Sequence, residues 1–302
     1  MTYNRILPLA TLATIVLSYV LHGQTYPPSV LIVTAHPDDE MSFAATVYKI
    51  THDLKGRVDL AVITNGEAGF KYSTLAEAYY GAELTDERVG RSLLPTIRKR
   101  ELMSGGNIIG IRSYYFLDQQ DNAYTLNVDS VLRYVWDVPL IKNTLRSLLD
   151  RGAYDIIFVL LPTTDTHGHH KGAAILALDV VMGLPAERRP VILGGTTSSS
   201  LDTMPIQYTG LGQYPATSVS SGRSSFRFDR STKFGFRDRL DYRIIVKWLI
   251  AEHKSQGAIH MSSNLADFED FWWFDINDPS RLDSVRTLFE RLAVVPYIKR
   301  TY

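Results

Sequence analysis

The sequence predicts an α/β fold, a mostly parallel, Rossmann-like sheet with helices on both of its faces. Short apolar runs that are rich in β-branched residues alternate with longer amphipathic runs, which is the pattern of strands and crossover helices in a parallel sheet. Of the 302 residues, 45% are apolar and 21% are charged, as in an ordinary globular chain that buries a sizeable core. These observations favour one doubly wound layer.

Each element of this layer is expected at a particular stretch of the chain. The strands are expected over residues 30–35, 58–64, 113–117, 154–161 and 190–195. The helices are expected over residues 39–53, 94–107, 138–150, 170–183 and 238–254. Because a connection between parallel strands needs a long crossover, which is usually a helix, this alternation predicts that the strands run parallel.

Three further segments lie outside the alternation. Residues 66–92 are rich in Gly, Tyr and Glu, and a connection of that length is expected to lie over a site. Residues 196–230 contain many Thr, Ser and Gly residues, and two interpretations stay open for them, a surface excursion and a substrate-facing loop. For the aromatic run at 267–275 we favour packing in the core over the alternative of stacking on a sugar.

Charge and cysteine content limit the partners and the kind of site. The 32 basic residues balance 32 acidic ones, so the chain has no net positive field to hold nucleic acid or an anionic membrane. The sequence has no cysteine, which excludes disulfides and thiolate metal sites. Any metal ion must therefore be held by histidines and carboxylates.

Residues 1–24 have the layout of a secretory signal peptide. Arg5 precedes an apolar run from Ile6 to Leu21. An uncleaved N-terminal anchor is the alternative, because this run is only slightly shorter than the ~20 residues of a spanning helix. Either way, we expect a single domain over residues 25–302 that is exported to the periplasm, the envelope or the extracellular space. Membrane contact is then expected only through an uncleaved N-terminal segment.

The first predicted strand ends in the motif TAHPDDE, residues 34–40, which places a histidine and three carboxylates at the edge of the sheet. Ligands of parallel α/β sheets bind outside the carboxyl ends of the strands. Phosphate binding at such a corner uses glycines and backbone amides, whereas this motif has no glycine, and its carboxylates would repel a phosphate. A divalent cation suits these side chains, although helix capping alone would explain one of Asp38 and Asp39.

A second cluster, DTHGHH at residues 165–170, follows the fourth predicted strand and holds three of the eight histidines of the chain. Since the carboxyl ends of parallel strands share one edge, we expect this cluster beside the first motif. His167 and His170 are three residues apart and can face the same way as a helix begins. Together the clusters suggest two histidines and one aspartate around zinc, with an open position for water.

The motifs resemble those of the PIG-L, or LmbE-like, family of zinc-dependent N-deacetylases. TAHPDDE contains the family's A-H-P-D-D-E motif in full, and HGHH fits its later H-x-x-H element. Further similarities are TNGEAG at 64–69, RKRELMSGGNIIGI at 98–111 and EHKSQ at 252–256. The resemblance covers residues 30 to about 260 and implies an LmbE-like deacetylase domain with a C-terminal extension.

The resemblance also implies a role for each matched residue. One zinc ion per chain would be bound by three side chains, namely His36, Asp39 and His170. Asp38 would be the general base, and His167 in its protonated form would stabilise the oxyanion or protonate the leaving amine. Weaker candidates for substrate or supporting contacts are Glu67, Arg98 and Asp165, the last of which could orient a histidine of the second cluster.

His169 departs from the family pattern, which often has aspartate at this place. Whether His169 or His170 binds the metal therefore stays open, with the spacing favouring His170.

The implied activity is that of a hydrolase that removes the acetyl group from an N-acetylglucosamine-type sugar or a related amide, releasing acetate and a free amine. Two alternatives stay open, a metal-dependent phosphoesterase that holds two ions and a carbohydrate-binding protein without turnover. The oligomeric state is not predicted.

Overall fold

The computed structural model describes residues 26–262 and 266–297. The signal peptide or anchor expected over residues 1–24 lies outside the described residues, so that assignment stays a prediction. Among the described residues, no helix has both the length and the apolar character that crossing a membrane would require.

Nine strands form two sheets in the described part of the chain. They are β1 (Ser29–Thr34), β2 (Arg57–Thr64), β3 (Ile111–Gln119), β4 (Ile156–Leu160), β5 (Val191–Ser198), β6 (Phe226–Asp229), β7 (Lys233–Phe234), β8 (Leu240–Asp241) and β9 (Phe268–Trp273). The main sheet has the order β3-β2-β1-β4-β5-β9-β6, and β7 pairs with β8 in a separate ribbon. Strands β1 to β5 run parallel, whereas β9 and β6 add an antiparallel edge. The predicted mostly parallel sheet is confirmed.

Helices cover both faces of this sheet, as predicted. The helices of the described residues are α1 (Ala44–Tyr48), α2 (Thr74–Tyr80), α3 (Glu87–Ile109), α4 (Val128–Tyr134), α5 (Val138–Gly152), α6 (Gly168–Met182), α7 (Arg243–Glu252), α8 (Gly257–Ser262) and α9 (Leu282–Ala293). Because successive side chains of a strand point to opposite faces, Val30 and Ile32 of β1 pack with α1, α3, α7 and α9. Leu31 and Val33 pack with α4, α5 and α6 on the other face.

The predicted helices are present, but several of their ends differ. The helix expected over 39–53 starts as a 3-10 turn and ends as a π turn, with α1 between them. Helix α3 begins at Glu87 rather than at residue 94, because the side chain of Asp86 caps it by accepting a hydrogen bond from Val89 N at 2.9 Å. Helix α7 is shorter than the expected 238–254, since residues 240–241 pair in the β7–β8 ribbon.

The antiparallel edge was not expected as strands. Its inner strand, β9, covers most of the aromatic run, and Phe271, Trp272 and Phe274 of that run are buried, so their packing in the core is confirmed. Its outer strand, β6, lies within the segment 196–230, which also buries Tyr208. That segment is therefore more than a surface excursion.

A buried ion pair connects this edge to the helical segment that follows the first motif. Glu269 on β9 accepts hydrogen bonds from Ala45 N at 2.8 Å and Thr46 N at 2.9 Å. Arg230, just past β6, donates to Glu269 at 2.8 Å and to the carbonyl of Met41 at 2.8 Å. Both charged side chains are almost completely buried, so Glu269 and Arg230 hold the first turns after the motif.

Candidate active site

The two predicted clusters meet at the carboxyl edge of the sheet, between β1 and β4. The strand order reverses between these two neighbours, and ligands of open α/β sheets bind at such a reversal. A cavity of about 540 Å³ opens there. Its lining includes every predicted catalytic and metal residue, namely His36, Asp38, Asp39, His167 and His170.

Three donor atoms of the predicted metal ligands form a small triangle at the base of this cavity. His36 Nδ1 lies 3.0 Å from His170 Nε2, and His170 Nε2 lies 3.2 Å from Asp39 Oδ1. The carboxylate of Asp39 approaches His36 Nδ1 to 3.7 Å through its other oxygen, Oδ2, and one donor atom of each of the three residues lies within 4.8 Å of the other two. Ligands bound tetrahedrally to zinc are about 3.3–3.5 Å apart, as follows from zinc–ligand bonds of ~2.0–2.2 Å. The donor set therefore fits a zinc-sized cation.

Hydrogen bonds from neighbouring groups orient two of these side chains. Asp39 Oδ2 accepts from Ala35 N at 3.0 Å and from His36 N at 2.8 Å, which turns Oδ1 toward His170. Thr166 Oγ1 lies 3.0 Å from His170 Nδ1, so Nε2 is the nitrogen that faces the cavity. Such partners fix the tautomer and the direction of a ligand before a metal binds.

The charges of the base of the cavity suit a cation. Burial acts to lower the pKa of His36, but the carboxylates of Asp121 and Asp39 outweigh it and raise that pKa to about 10. Burial acts to raise the pKa of Asp39, but His170 and His36 hold it well below its usual range. Without a metal ion, a proton on the imidazole balances the carboxylates, and a divalent cation would supply the same positive charge.

Asp38 lines the same cavity and is paired with Arg98. Its Oδ2 lies 2.9 Å from Arg98 Nη2, and the guanidinium also donates to the carbonyls of Gly66 at 2.6 Å and Pro37 at 3.2 Å. Arg98 is buried on α3, so this contact holds the carboxylate beside the predicted ligands. The neighbouring aspartates thus have different partners, as their different predicted roles require.

His167 caps the N-terminus of α6 with its ring. Nδ1 accepts a hydrogen bond from His169 N at 2.9 Å, so the neutral ring carries its hydrogen on Nε2. Burial and the positive charge of His36, His169 and His170 lower the pKa of His167 to about 3. The metal-free site therefore keeps His167 neutral, in contrast to the protonated form expected from the sequence.

The weaker candidates behave differently from one another. Arg98 contacts Asp38, as described. Glu67 lies 3.5 Å from Arg91, and burial raises its pKa against the opposing charge of that arginine. Asp165 lines the cavity but is exposed, and a hydrogen bond from Thr163 lowers its pKa. The partner described for His170 is Thr166, not Asp165, so the expected orienting role of Asp165 has no support in the geometry.

Asp121 is the site residue that the sequence interpretation missed. Its Oδ1 lies 3.5 Å from His36 Nε2 and 3.3 Å from His169 Nδ1, and its Oδ2 accepts from Ala68 N at 3.2 Å. The available signal was its position just past the end of β3, at the same edge as both clusters.

Glu40 is the second polar residue whose partner the sequence did not reveal. It is fully buried and lies 2.6 Å from His253 Nε2, which belongs to the EHKSQ element. The last carboxylate of the first motif is thus joined to a segment near the C-terminus and is not among the described residues that line the cavity.

The upper wall of the cavity comes from the segment predicted to lie over the site. Residues 68–72, Glu87 and Arg91 line it, which confirms that prediction. Tyr124 stands opposite, with its ring centroid 4.8 Å from that of His167. Segment 196–230 contributes none of the residues described in this lining, so the substrate-facing interpretation finds no support there.

Comparisons with known proteins agree with this site. A family model described as PIG-L: GlcNAc-PI de-N-acetylase matches residues 31–181, which include both clusters. The probable N-acetyl-alpha-D-glucosaminyl L-malate deacetylase 2 of Bacillus cereus is 26% identical over 163 residues. That match covers 54% of this chain and 65% of the relative, so the chain spans just under two thirds of that protein.

Solved structures of two deacetylases also match this chain. N,N'-diacetylchitobiose deacetylase from Pyrococcus horikoshii is 21% identical over 51% of this chain and 49% of its own, with a TM-score of 0.37. The zinc-inhibited form of teicoplanin deacetylase Orf2 is 11% identical, covering 83% of this chain and 100% of its own, with a TM-score of 0.52. At such identities the second similarity supports the fold alone. Because the family model spans half of the chain and both clusters, the protein belongs to the PIG-L, or LmbE-like, family.

Proposed function

We propose that the protein is a zinc-dependent hydrolase that removes the acetyl group from an N-acetylglucosamine-type sugar or a related amide. The observation that carries this proposal is the donor triangle of His36, Asp39 and His170, with the separately held carboxylate of Asp38 beside it. Membership of the family supports the reaction type. A zinc ion bound by the triangle would polarise the amide carbonyl and make a nearby water more acidic.

Asp38 is the proposed general base. Arg98 occupies Oδ2, so Oδ1 is the oxygen that can take a proton from the attacking water. As the amide C–N bond breaks, the leaving nitrogen needs a proton, and the carboxyl group that Asp38 has become can return it. The water thus adds its oxygen to the acetyl carbon, and the amine and acetate leave separately.

His167 is proposed to donate a hydrogen bond to the oxygen that gains negative charge. Its neutral ring keeps a hydrogen on Nε2, because Nδ1 already accepts from the backbone of His169. A donor held in place by a helix cap costs little reorganisation during the reaction. The low pKa of His167 therefore suits a hydrogen-bond donor better than an acid that is charged at rest.

The test is an acetate-release assay on N-acetylglucosamine conjugates and chito-oligosaccharides, run on chelated protein with and without added zinc. We expect release only with zinc and only with Asp38 intact. Release that survives chelation, or that persists in Asp38→Asn, would contradict the proposal. An aryl phosphate belongs in the same panel, since turnover of that ester without acetate release would favour a phosphoesterase.

Export is proposed on the sequence of residues 1–24 alone. If the protein reaches the cell envelope or the medium, its substrate is a glycan or small molecule found there. Cell fractionation with antibody detection tests this, and recovery of the full-length chain in the cytosol would contradict it.

A further inference from the structure

A small hollow lies at the amino edge of the sheet, at the opposite end of the strands from the cavity. Its lining includes Arg57 at the start of β2, Arg112 near the start of β3 and Arg151 near the end of α5. The rings of Tyr115 and Tyr154 also line it. At about 260 Å³ the hollow is smaller than the ~300–1,000 Å³ of pockets that hold drug-sized molecules, so it suits a small ligand or a single chemical group.

The charges around this hollow are mainly positive. Three arginines line it, and no carboxylate is among the described residues of the lining. The neighbouring Asp59 is fully buried and already accepts hydrogen bonds from Arg112 Nε at 3.0 Å, Arg112 Nη2 at 2.6 Å and the hydroxyl of Tyr154 at 2.7 Å. In the described part of the chain, Arg57 and Arg151 form no ion pair with a carboxylate. The hollow therefore keeps an excess of positive charge that an anion could neutralise.

Hydrogen bonds to uncharged groups hold the guanidinium groups of Arg57 and Arg151. Arg57 Nε donates to Ser29 Oγ at 2.6 Å, and its Nη2 donates to the carbonyl of Gly152 and, at 3.1 Å, to that of Ala153. These carbonyls lie at the negative end of the α5 dipole, so Arg57 offsets the repulsion that they would exert on an anion. Arg151 Nε donates to a carbonyl one turn earlier in α5 at 3.1 Å.

Each of the three arginines has N–H groups left for a ligand. Among the hydrogen bonds of the described residues, Nη1 of Arg57, Arg112 and Arg151 takes part in none. A guanidinium presents its donors in a planar fork that matches two oxygens of a phosphate or a carboxylate. One guanidinium can satisfy both oxygens of a carboxylate, whereas a phosphate group has further oxygens for a second and a third arginine. Three arginines around one hollow therefore favour phosphate.

The hollow is separate from the proposed chemistry. It shares no described lining residue with the cavity that contains the metal triangle. The ligands of open parallel sheets bind outside the carboxyl ends of the strands, and this hollow lies at the amino ends. We therefore interpret it as a binding site and not as a second catalytic site.

We propose that Arg57, Arg112 and Arg151 bind a phosphate group, which is supplied either by a free phosphate anion or by a phospholipid headgroup. This site goes beyond the proposed function and does not depend on it. Because the hollow and the cavity lie at opposite ends of the strands, a phosphate-bearing surface that binds here leaves the cavity open to substrate.

The first experiment is isothermal titration of inorganic phosphate into the metal-free full chain at low ionic strength, where exposed charges are least screened. We expect one phosphate per chain in the wild type and weaker binding of acetate at the same ionic strength. Arg151→Gln should weaken phosphate binding about tenfold, because charge-assisted hydrogen bonds are lost.

Arg188→Gln is the matched control. Arg188 is exposed, lies just before β5 at the same edge, and pairs with Asp150 outside the described lining of the hollow. Its loss removes the same charge and should change phosphate affinity by less than about twofold, because it makes only a surface ion pair. Circular dichroism establishes that both variants are folded.

Sedimentation with vesicles distinguishes the two sources of phosphate. The wild type and both variants are mixed with phosphatidylcholine vesicles that contain or lack phosphatidylglycerol. Residues 1–24 are the same in every variant, so a difference between variants reports the hollow. Sedimentation that phosphatidylglycerol strengthens, and that falls in Arg151→Gln but not in Arg188→Gln, assigns a lipid headgroup. Equal sedimentation of all three proteins, with phosphate binding in the titration, assigns a free anion.

Three results of the titration would overturn the site. The first is no binding of inorganic phosphate, and the second is an equal loss of affinity in Arg151→Gln and Arg188→Gln, which would indicate a diffuse charge effect. The third is loss of phosphate binding in His170→Ala, which would place the anion in the cavity. The titration needs no turnover, so a failure to release acetate would overturn the proposed function and leave this site standing.

Discussion

The parallel half of the sheet and its antiparallel edge contribute different things to the same site. Strands β1 and β4 are followed by the side chains that carry the proposed chemistry. Strands β9 and β6 contribute no lining residue among those described, yet Glu269 and Arg230 hold the backbone that follows the first motif. The comparison indicates that reactivity and mechanical support are separated along the chain, and the support lies beyond the stretch that the family model matches.

The largest effect on activity is expected for a proposed metal ligand on the parallel half of the sheet. His170→Ala removes one corner of the donor triangle and should abolish acetate release. Zinc affinity should fall by more than the ~10- to 100-fold cost of losing an outer hydrogen-bond partner. Thr166→Val, which removes only that partner of His170, is the matched variant and should stay within this range. Equal zinc affinity in both variants would exclude His170 as a ligand.

Asp38→Asn should separate metal binding from proton transfer. The amide keeps the shape of the side chain and cannot accept a proton, so kcat should fall ~10²- to 10⁴-fold while zinc stays bound. Asp165→Asn, on the exposed wall of the same cavity, should change kcat by less than twofold. Steady-state kinetics with a zinc count measures both, and loss of zinc in Asp38→Asn would assign this aspartate to the metal instead.

The Glu269→Gln variant tests the antiparallel edge of the sheet, which is the part that supports the site. Removing one charge of a buried ion pair typically costs about 3–5 kcal/mol of unfolding free energy, because the partner charge is left unpaired. The matched variant is Asp270→Asn on the same strand, whose partner Arg227 is half exposed, so a smaller loss is expected. Urea unfolding measures both. If Glu269→Gln lost activity while its unfolding free energy stayed unchanged, Glu269 would act in the chemistry and not only as mechanical support, which would contradict the comparison.

The smallest effect is expected in the β7–β8 ribbon, which contributes no residue to the described lining of the cavity. Burial acts to raise the pKa of Asp241, but Arg243 and Lys233 outweigh it and lower that pKa to about 2. A lowered pKa in the folded state adds stability above the unfolded value of ~3.9, and this stability is lost as the pH falls through about 2.

Asp241→Asn should therefore lower the unfolding free energy at pH 7 by on the order of 1 kcal/mol, with less difference from wild type toward pH 2. Urea unfolding across this pH range checks it, and acetate release at pH 7 should not change. A difference from wild type that grew as the pH fell would contradict the assigned sign.

The sequence was sufficient for the parallel core and for the meeting of the two predicted clusters at one edge. Runs of β-branched residues predicted the five parallel strands, and the rule that their carboxyl ends share one edge brought both histidine clusters together. Asp121 was missed because it follows β3 as an isolated carboxylate, with no neighbouring histidine to mark it. The rule that the carboxyl ends of parallel strands share one edge also applies to Asp121. A search for clusters of histidines and carboxylates could not find it, because it stands alone.

The features that the sequence did not reveal depend on contacts between distant residues. His253 lies 213 positions from its partner Glu40, and β9 pairs with β5 across the whole 196–230 segment. Local patterns carry no information about such partners. The helix over 39–53 was predicted, but its 3-10 start was not, and Arg230, which donates to the carbonyl of Met41 in that turn, lies far along the chain.

The pairing of β1 with β4 also bears on how the protein folds. Val30 pairs with Ile156, so the two strands that end at the metal triangle are far apart in the sequence. Such non-local pairing is slow to form, and the triangle is incomplete until it has formed. Zinc uptake during refolding would therefore report the moment when the centre of the sheet closes. A bound ion should in turn delay the first separation of these strands during unfolding.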